Sequence, residues 1–197
     1  MNICLITIHK GGSENLFKTY NSICKFLDYD IFCGYLIYES DSSHLLGSEF
    51  HSKVIYLHTQ QSEGITSALN ASQSFASDSF PLSTHYCFIH SGDLLVPDQA
   101  ALAVLNGRIN LNCSVDIVSW SYRFTNKGSE LVFRPSKDGL EKAMTISHIG
   151  TFISHRLHRS VGGYSEKYKF AMDYHFFFKS RKKASFLLYD HVFTLVD

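Results

Sequence analysis

Apolar residues fall in short blocks along the chain, and each block ends in a polar stretch. Ile3 to Ile8 is apolar and rich in β-branched residues, and His9-Lys10-Gly11-Gly12-Ser13 follows it, which predicts a buried strand entering a loop. Leu16, Phe17, Tyr20, Ile23, Cys24 and Leu27 then recur at helical spacing, with Ser13 placed to cap the helix and Glu14 near the positive end of its dipole. The runs Ile31 to Tyr38 and Val54 to Leu57 predict two further strands, leading into Glu39-Ser40-Asp41-Ser42-Ser43 and into the polar residues from His58 to Gly64. Ile65, Ala68, Leu69, Ser72 and Ala76 share one helical face, and a Ser/Asp/Pro connection from Ser77 to Thr84 separates them from the apolar run Tyr86 to Ile89. That run ends in His90-Ser91-Gly92-Asp93, and Pro97-Asp98 opens a helix reaching Leu105.

The order β-α-β-β-α-β-α predicts an α/β fold, a Rossmann-like and mostly parallel sheet flanked by helices, with ligands bound where the strands deliver their carboxyl ends. The second half is less regular. Val115 to Tyr122 and Leu131 to Phe133 predict a hairpin around Asn126-Lys127-Gly128, Met144 to Ser154 and Phe186 to Val196 predict strands, and Asp173 to Lys183 predicts a helix. At 197 residues, without an internal repeat or a low-complexity linker, the chain is expected to form a single domain, residues 1–197.

Composition narrows the functions open to such a fold. Eighteen Lys+Arg balance eighteen Asp+Glu, so there is no overall field of the kind that draws a protein onto nucleic acid, and no nucleic-acid partner is expected. The five cysteines are scattered through apolar runs, without the spacing of a zinc site or a disulfide framework, and read as reduced core residues. No segment has the pattern of a leader peptide or approaches the ~20 apolar residues of a membrane span, so the expected location is cytoplasmic. Neither GxxxxGK[ST] nor GxGxxG occurs, which argues against P-loop enzymes, kinases and ordinary dehydrogenases.

Two carboxylates stand out. Asp93 leaves a buried strand through a glycine turn at the sheet edge, where a divalent cation bound to a phosphorylated ligand needs only one or two carboxylates; a turn-capping Asp would look the same. Asp173 begins an apolar-faced helix, which suits either a general base whose proton affinity is raised by partial desolvation or an ordinary helix cap. His148 and His175 fit ligand, catalytic and structural roles alike.

Three segments taken in order carry a resemblance that spans almost the whole chain: Ile3-Cys-Leu-Ile-Thr-Ile-His with the helix containing Lys18-Thr-Tyr-Asn-Ser-Ile; Gly64-Ile-Thr-Ser-Ala-Leu-Asn70 with Phe88-Ile-His-Ser-Gly-Asp93; and His148-Ile-Gly-Thr-Phe152 with Val161-Gly-Gly-Tyr-Ser-Glu-Lys-Tyr and Asp173-Tyr174. Together they resemble glycosyltransferase family 2, and within it the bacterial polysaccharide-assembly transferases whose segments read Gly-Ile-Tyr-Asp-Ala-Met-Asn and Asn-Ser-Gly-Asp. The resemblance implies a GT-A fold with a nucleotide-sugar-binding half, residues 1–107, and an acceptor-binding half with a smaller β region, residues 108–197. It further implies a metal-dependent inverting transfer from a nucleotide-diphosphate sugar donor to a glycan or lipid-linked acceptor, with Mn2+ or Mg2+. By the same resemblance Asp93 holds the metal and Asp173 is the catalytic base. Thr7, Glu39, Gly64, Asn70, Ser91 and Gly92 bind the nucleotide sugar, and His148 lies in the donor or acceptor pocket.

The sequence departs from that pattern at several positions. His90 and Ser91 stand where the earlier acid of the metal motif belongs, Ser67 replaces the Asp of the central segment and Ser62 a nearby donor-pocket acid, and the sequence stops at Asp197, near the last expected strand. These departures motivate a second expectation, a non-catalytic member of the same fold that binds a nucleotide sugar or a partner transferase. Basic residues between Arg156 and Lys183 outnumber Glu166 and Asp173, so this side is expected either to face an anionic acceptor or the inner membrane surface, or to be a solvated helix end.

Overall fold

A computed structural model describes residues 1–39, 50–59, 64–107, 114–126, 129–168 and 170–196. The elements of the first half follow the expected order: β1 (Ile3–His9), α1 (Ser13–Cys24), β2 (Phe32–Glu39), β3 (Val54–His58), α2 (Ile65–Ser79), β4 (His85–Phe88), a short β5 (Leu94–Leu95) and α3 (Gln99–Leu105). β6 (Ile117–Asn126), β7 (Ser129–Phe133), β8 (Phe152–Ser154), α4 (His155–Val161), α5 (Met172–Ser180) and β9 (Phe186–Val196) complete it.

The strands form one sheet in the order β3-β2-β1-β4-β8-β6-β9-β5, with β7 paired to β6. β3, β2, β1 and β4 are parallel. β8 runs antiparallel between β4 and β6, while β9 returns parallel to β6. The expected fold class is the one found, a sheet flanked by helices with a mixed β region beyond β4. Period-two alternation explains the burial on both faces. Cys4, Ile6 and Ile8 pack with Leu69, Leu157 and Phe176 under α2, α4 and α5, whereas Ile3 and Leu5 pack with Leu16, Ile23 and Val104 under α1 and α3.

Three details differ from the sequence reading. Only Phe152–Ser154 of the expected strand from Met144 is extended, because residues before it fold back: Gly150 takes φ +74°, the Thr151 hydroxyl donates to the Ser147 carbonyl at 2.6 Å, and Gly150 N–H donates to the Phe88 carbonyl at 2.8 Å. The basic stretch after Ser154 is helix α4, whose first turn Ser154 caps by accepting from Leu157 N–H at 3.0 Å and which Gly162 ends in the left-handed region. α5 starts at Met172 behind Ala171, which is left-handed at φ 59°, so Asp173 sits inside its first turn rather than capping it. Cys4, Cys24, Cys33 and Cys87 are free thiols, and Cys113 lies outside the described residues. No helix among the described residues is long and apolar enough to cross a membrane.

Candidate active site

The chain reverses its order of travel between β1 and β4: α1 leads from β1 to β2 on one face, and α2 leads into β4 on the other. In open α/β sheets a crevice forms at the carboxyl ends of the strands beside such a point. A cavity of about 250 Å³ lies there, lined among the described residues by His9, Lys10, Gly12, Asn15, His90 and Ser91, with Ile8 and Ile65. A larger cavity, about 470 Å³ near Met1, Asp28 and Asn106, gathers none of the candidate residues.

The turn after β4 is organised from α1. The buried Thr19 hydroxyl accepts from Gly92 N–H at 2.9 Å and donates to the Asp93 carbonyl at 2.8 Å, and Gly92 takes φ +111°, which favours glycine. Asp93 is thereby turned inward, with 5% of its surface exposed, and it is not among the residues lining the cavity. Ser91 pairs its hydroxyl with His9 Nδ1 at 2.9 Å.

A second group comes from the other half of the chain. Asp173 Oδ2 lies 2.8 Å from His148 Nδ1, and His148 Nε2 lies 2.7 Å from His90 Nε2. Asp173 Oδ1 accepts from Tyr174 N–H at 2.8 Å. The carboxylate on α5 thus reaches the cavity only through two imidazoles, the second of which belongs to the turn that carries Asp93. The sequence reading anticipated a desolvated, more basic Asp173. Burial does push its carboxyl up, but the hydrogen bonds and charge of His148 and the Tyr174 N–H outweigh it and hold the carboxyl below its ordinary value.

The other expected residues divide. Glu39 ends β2, buried, with Oε1 3.9 Å from His9 Nε2 and Oε2 3.9 Å from His58 Nδ1; His9 Nε2 and Glu39 Oε1 are buried without a hydrogen-bond partner. Gly64 precedes α2 as its cap residue, next to the cavity-lining Ile65. Thr7 does not reach the cavity: it is fully buried, donating to the Ile89 carbonyl at 2.8 Å and accepting from the Tyr35 hydroxyl at 2.9 Å. Asn70 is likewise taken up elsewhere, donating to the Tyr164 carbonyl at 2.8 Å and accepting from Tyr164 N–H at 2.9 Å, which ties α2 to the Gly162-Gly163 turn. Ser67 donates to Glu166 at 3.0 Å, and Ser62 lies outside the described residues.

Lys10 and Asn15 are not among the residues the sequence offers for the site, and His90 is offered there only as a further metal ligand or as a strand-end structural residue. The sequence signal for His90 was its position directly after a buried strand; its link to His148 spans 58 residues and has no local signature. Three residues of the basic side are engaged by contacts: Arg156 pairs with Asp116 at 2.6 Å, Lys179 donates to the Val161 carbonyl at 2.7 Å, and Arg181 stacks on Phe178. Lys169 lies outside the described residues.

No family model matches the chain, and no curated protein matches it. Solved structures do. TarS 1–349 of S. aureus superposes with a TM-score of 0.71 at 13% identity, covering 100% of this chain and 60% of that one. The same protein in complex with UDP-GlcNAc gives 0.67 at 13% identity, covering 100% and 58%. The mannosyltransferase PcManGT of Pyrobaculum calidifontis, in complex with GDP-Man and Mn2+, gives 0.59 at 12% identity, covering 97% and 56%. The fold is therefore one shared with glycosyltransferases, and the chain spans about 60% of the length of the TarS 1–349 structure.

Proposed function

We propose that this chain is an inverting glycosyltransferase of family 2 that moves a sugar from a nucleotide-diphosphate donor to a hydroxyl of a glycan or lipid-linked acceptor in bacterial surface polysaccharide synthesis. The observation that carries the proposal is the hydrogen-bonded chain from Asp173 through His148 to His90, which ends at a cavity in the sheet's ligand-binding crevice. The neighbours bound to UDP-GlcNAc and GDP-Man support the donor class.

Asp93 would hold the divalent cation. Among the described residues no cluster of three His, Cys, Asp or Glu side chains could hold a metal, and Asp93, 5% exposed and absent from the cavity lining, would have to turn outward to hold one with ligands supplied by the donor. A cation so held supplies charge neutralisation to the departing diphosphate. Asp173 keeps its negative charge beside His148 and acts as the base for the incoming hydroxyl through His148 and His90.

A non-catalytic member of the same fold is the second reading, and the Ser67–Glu166 bond favours it, since the position that carries an acid in the resembled family is spent on a surface contact. Purified protein incubated with UDP- and GDP-sugars and Mn2+ separates the two. Slow release of free nucleotide, with its Mn2+ dependence lost in Asp93→Ala, supports the enzyme. Nucleotide-sugar binding without turnover on any donor or acceptor supports the second reading.

A further inference from the structure

β7 lies beside β6 at the rim of the sheet, and among the described residues no other strand pairs with it. All five of its residues are exposed, including the apolar run Leu131, Val132 and Phe133. Edge strands of folded proteins are ordinarily blunted by lysines, prolines, bulges or a covering segment. Along Ser129–Phe133 there is no lysine or proline, and the register with β6 runs without a shift.

The open side of β7 has a definite phase. Only two residues separate Asn126 from its partner Ser129, and the pair that closes so short a loop exchanges both of its backbone bonds. Every second residue repeats that pattern, so Leu131 and Phe133 bond to Phe124 and Tyr122, while the N–H and C=O groups of Glu130 and Val132 point away from β6. No further backbone group among the described residues takes them up. Arg134 is next in that phase, with Pro135 directly behind it. Alternate residues share a face, which puts Glu130, Val132 and Arg134 together on one side of the sheet. There Glu130 lies 3.7 Å from Arg123 of β6, and Arg134 Nε donates to Asp190 of β9 at 2.7 Å, all four side chains being well exposed.

We propose that β7 is a homodimer interface: two copies of this chain join edge to edge, β7 antiparallel to β7, about a twofold axis at Val132. Glu130 then faces the second copy's Arg134, and Leu131 faces its Phe133. The pairs at Glu130, Val132 and Arg134 exchange the backbone bonds that each edge leaves open alone. Charges alternate across the joined face, from Asp190 and Arg134 of one copy to Glu130 and Arg123 of the other. No other axis within the strand does this. An axis at Leu131 or Phe133 sets a charge against Val132, and an axis at Glu130 or Arg134 sets like charge against like, which destabilises a sheet. A single short strand from each copy makes a small interface, so the dimer is reversible and fills with concentration. The pairing is independent of the transferase reading.

Sedimentation velocity over a concentration series, from the low micromolar range to the solubility limit, tests the association. The expected result is a monomer passing into a dimer; a monomer throughout, or a larger assembly without a dimer, overturns the proposal. Two charge variants test the register. Glu130→Arg and Arg134→Glu each set like charges opposite at both symmetric positions, and each is expected to weaken the dimer on the order of 10-fold. Mixed in equal amounts, the two variants recreate opposite charges at both positions and are expected to dimerise with each other about as strongly as the unaltered chain. A dimer that both variants leave unchanged, or one that mixing fails to restore, overturns the pairing. Val132→Pro removes an N–H that points away from β6 and spares the bonds to it. It is expected to abolish the dimer while far-UV circular dichroism stays that of the unaltered protein; a Val132→Pro chain that still dimerises overturns the proposal.

Discussion

Asn70→Ala separates two roles for one residue. The family resemblance puts Asn70 in the donor pocket, whereas its amide closes a two-bond bracket on the Tyr164 backbone, at 2.8 and 2.9 Å. Tyr164 is 2% exposed, so truncation leaves a buried N–H and a buried carbonyl without partners. Each such orphan costs about 1–3 kcal/mol, giving roughly 2–6 kcal/mol for the pair. For a chain of this size 1 kcal/mol moves Tm by about 2–4 °C, so the expected loss is on the order of 10 °C. Asn70→Asp is expected to be at least as harmful, because it keeps the acceptor for Tyr164 N–H but sets a carboxylate oxygen against the carbonyl. Gly163→Ala reports on the same bracket, since its Cβ would lie 2.7 Å from Asn70 Oδ1 at a backbone φ of +70°. Thermal unfolding with and without UDP- or GDP-sugars reads all three. If Asn70→Ala melts with the unaltered protein yet loses nucleotide-sugar affinity, the bracket argument is refuted and the donor-pocket role stands.

Further outcomes can be measured on the same preparation. Burial pushes His155 and His158 down to about 4 from an ordinary 6.5, with the Arg159 charge adding to both. Groups lowered on folding contribute stability that is complete above pH 6.5 and lost as pH falls toward about 4; urea midpoints should drop over that window, and a flat profile refutes the assignment. Asp116 is pushed up by burial but held below its ordinary value by Arg156, Ser185 and Ser154, so Asp116→Asn should lower the urea midpoint most above pH 4 and least in stronger acid, its contribution vanishing as the carboxyl protonates. Gly34→Ala drives a methyl into the Phe80 ring beneath β2 and should cost about 1–3 kcal/mol; a neutral result would mean that Phe80 moves aside freely.

The first half of the fold was legible because β1, β2 and β4 are buried on both faces and its helices carry one apolar stripe, patterns that depend on neighbours a few residues away. Such periodicity says nothing of a fold-back like that at Ser147 to Thr151, where backbone bonds to β4 override an apolar run that reads as strand. α4 was missed for a related reason: His155 and His158 are buried in it as uncharged rings, a condition that polar letters conceal. In the candidate site, Asp93, Asp173 and His148 were each visible as polar residues at the edges of apolar segments. What joins Asp173, through His148, to the turn that carries Asp93 is a pair of ring nitrogens brought together from the turn after β4 and from the turn before β8, and no spacing along the chain encodes that meeting.

β8 lies between β4 and β6, so backbone hydrogen bonds run without interruption from the strands that frame the cavity to those beside α5. Two lobes hinged at a linker can clamp a ligand by rotating against each other; a continuous ribbon of strands cannot do so without shearing its own ladder. Any tightening around a ligand is therefore confined to side-chain rotations and to the segments that join one strand or helix to the next.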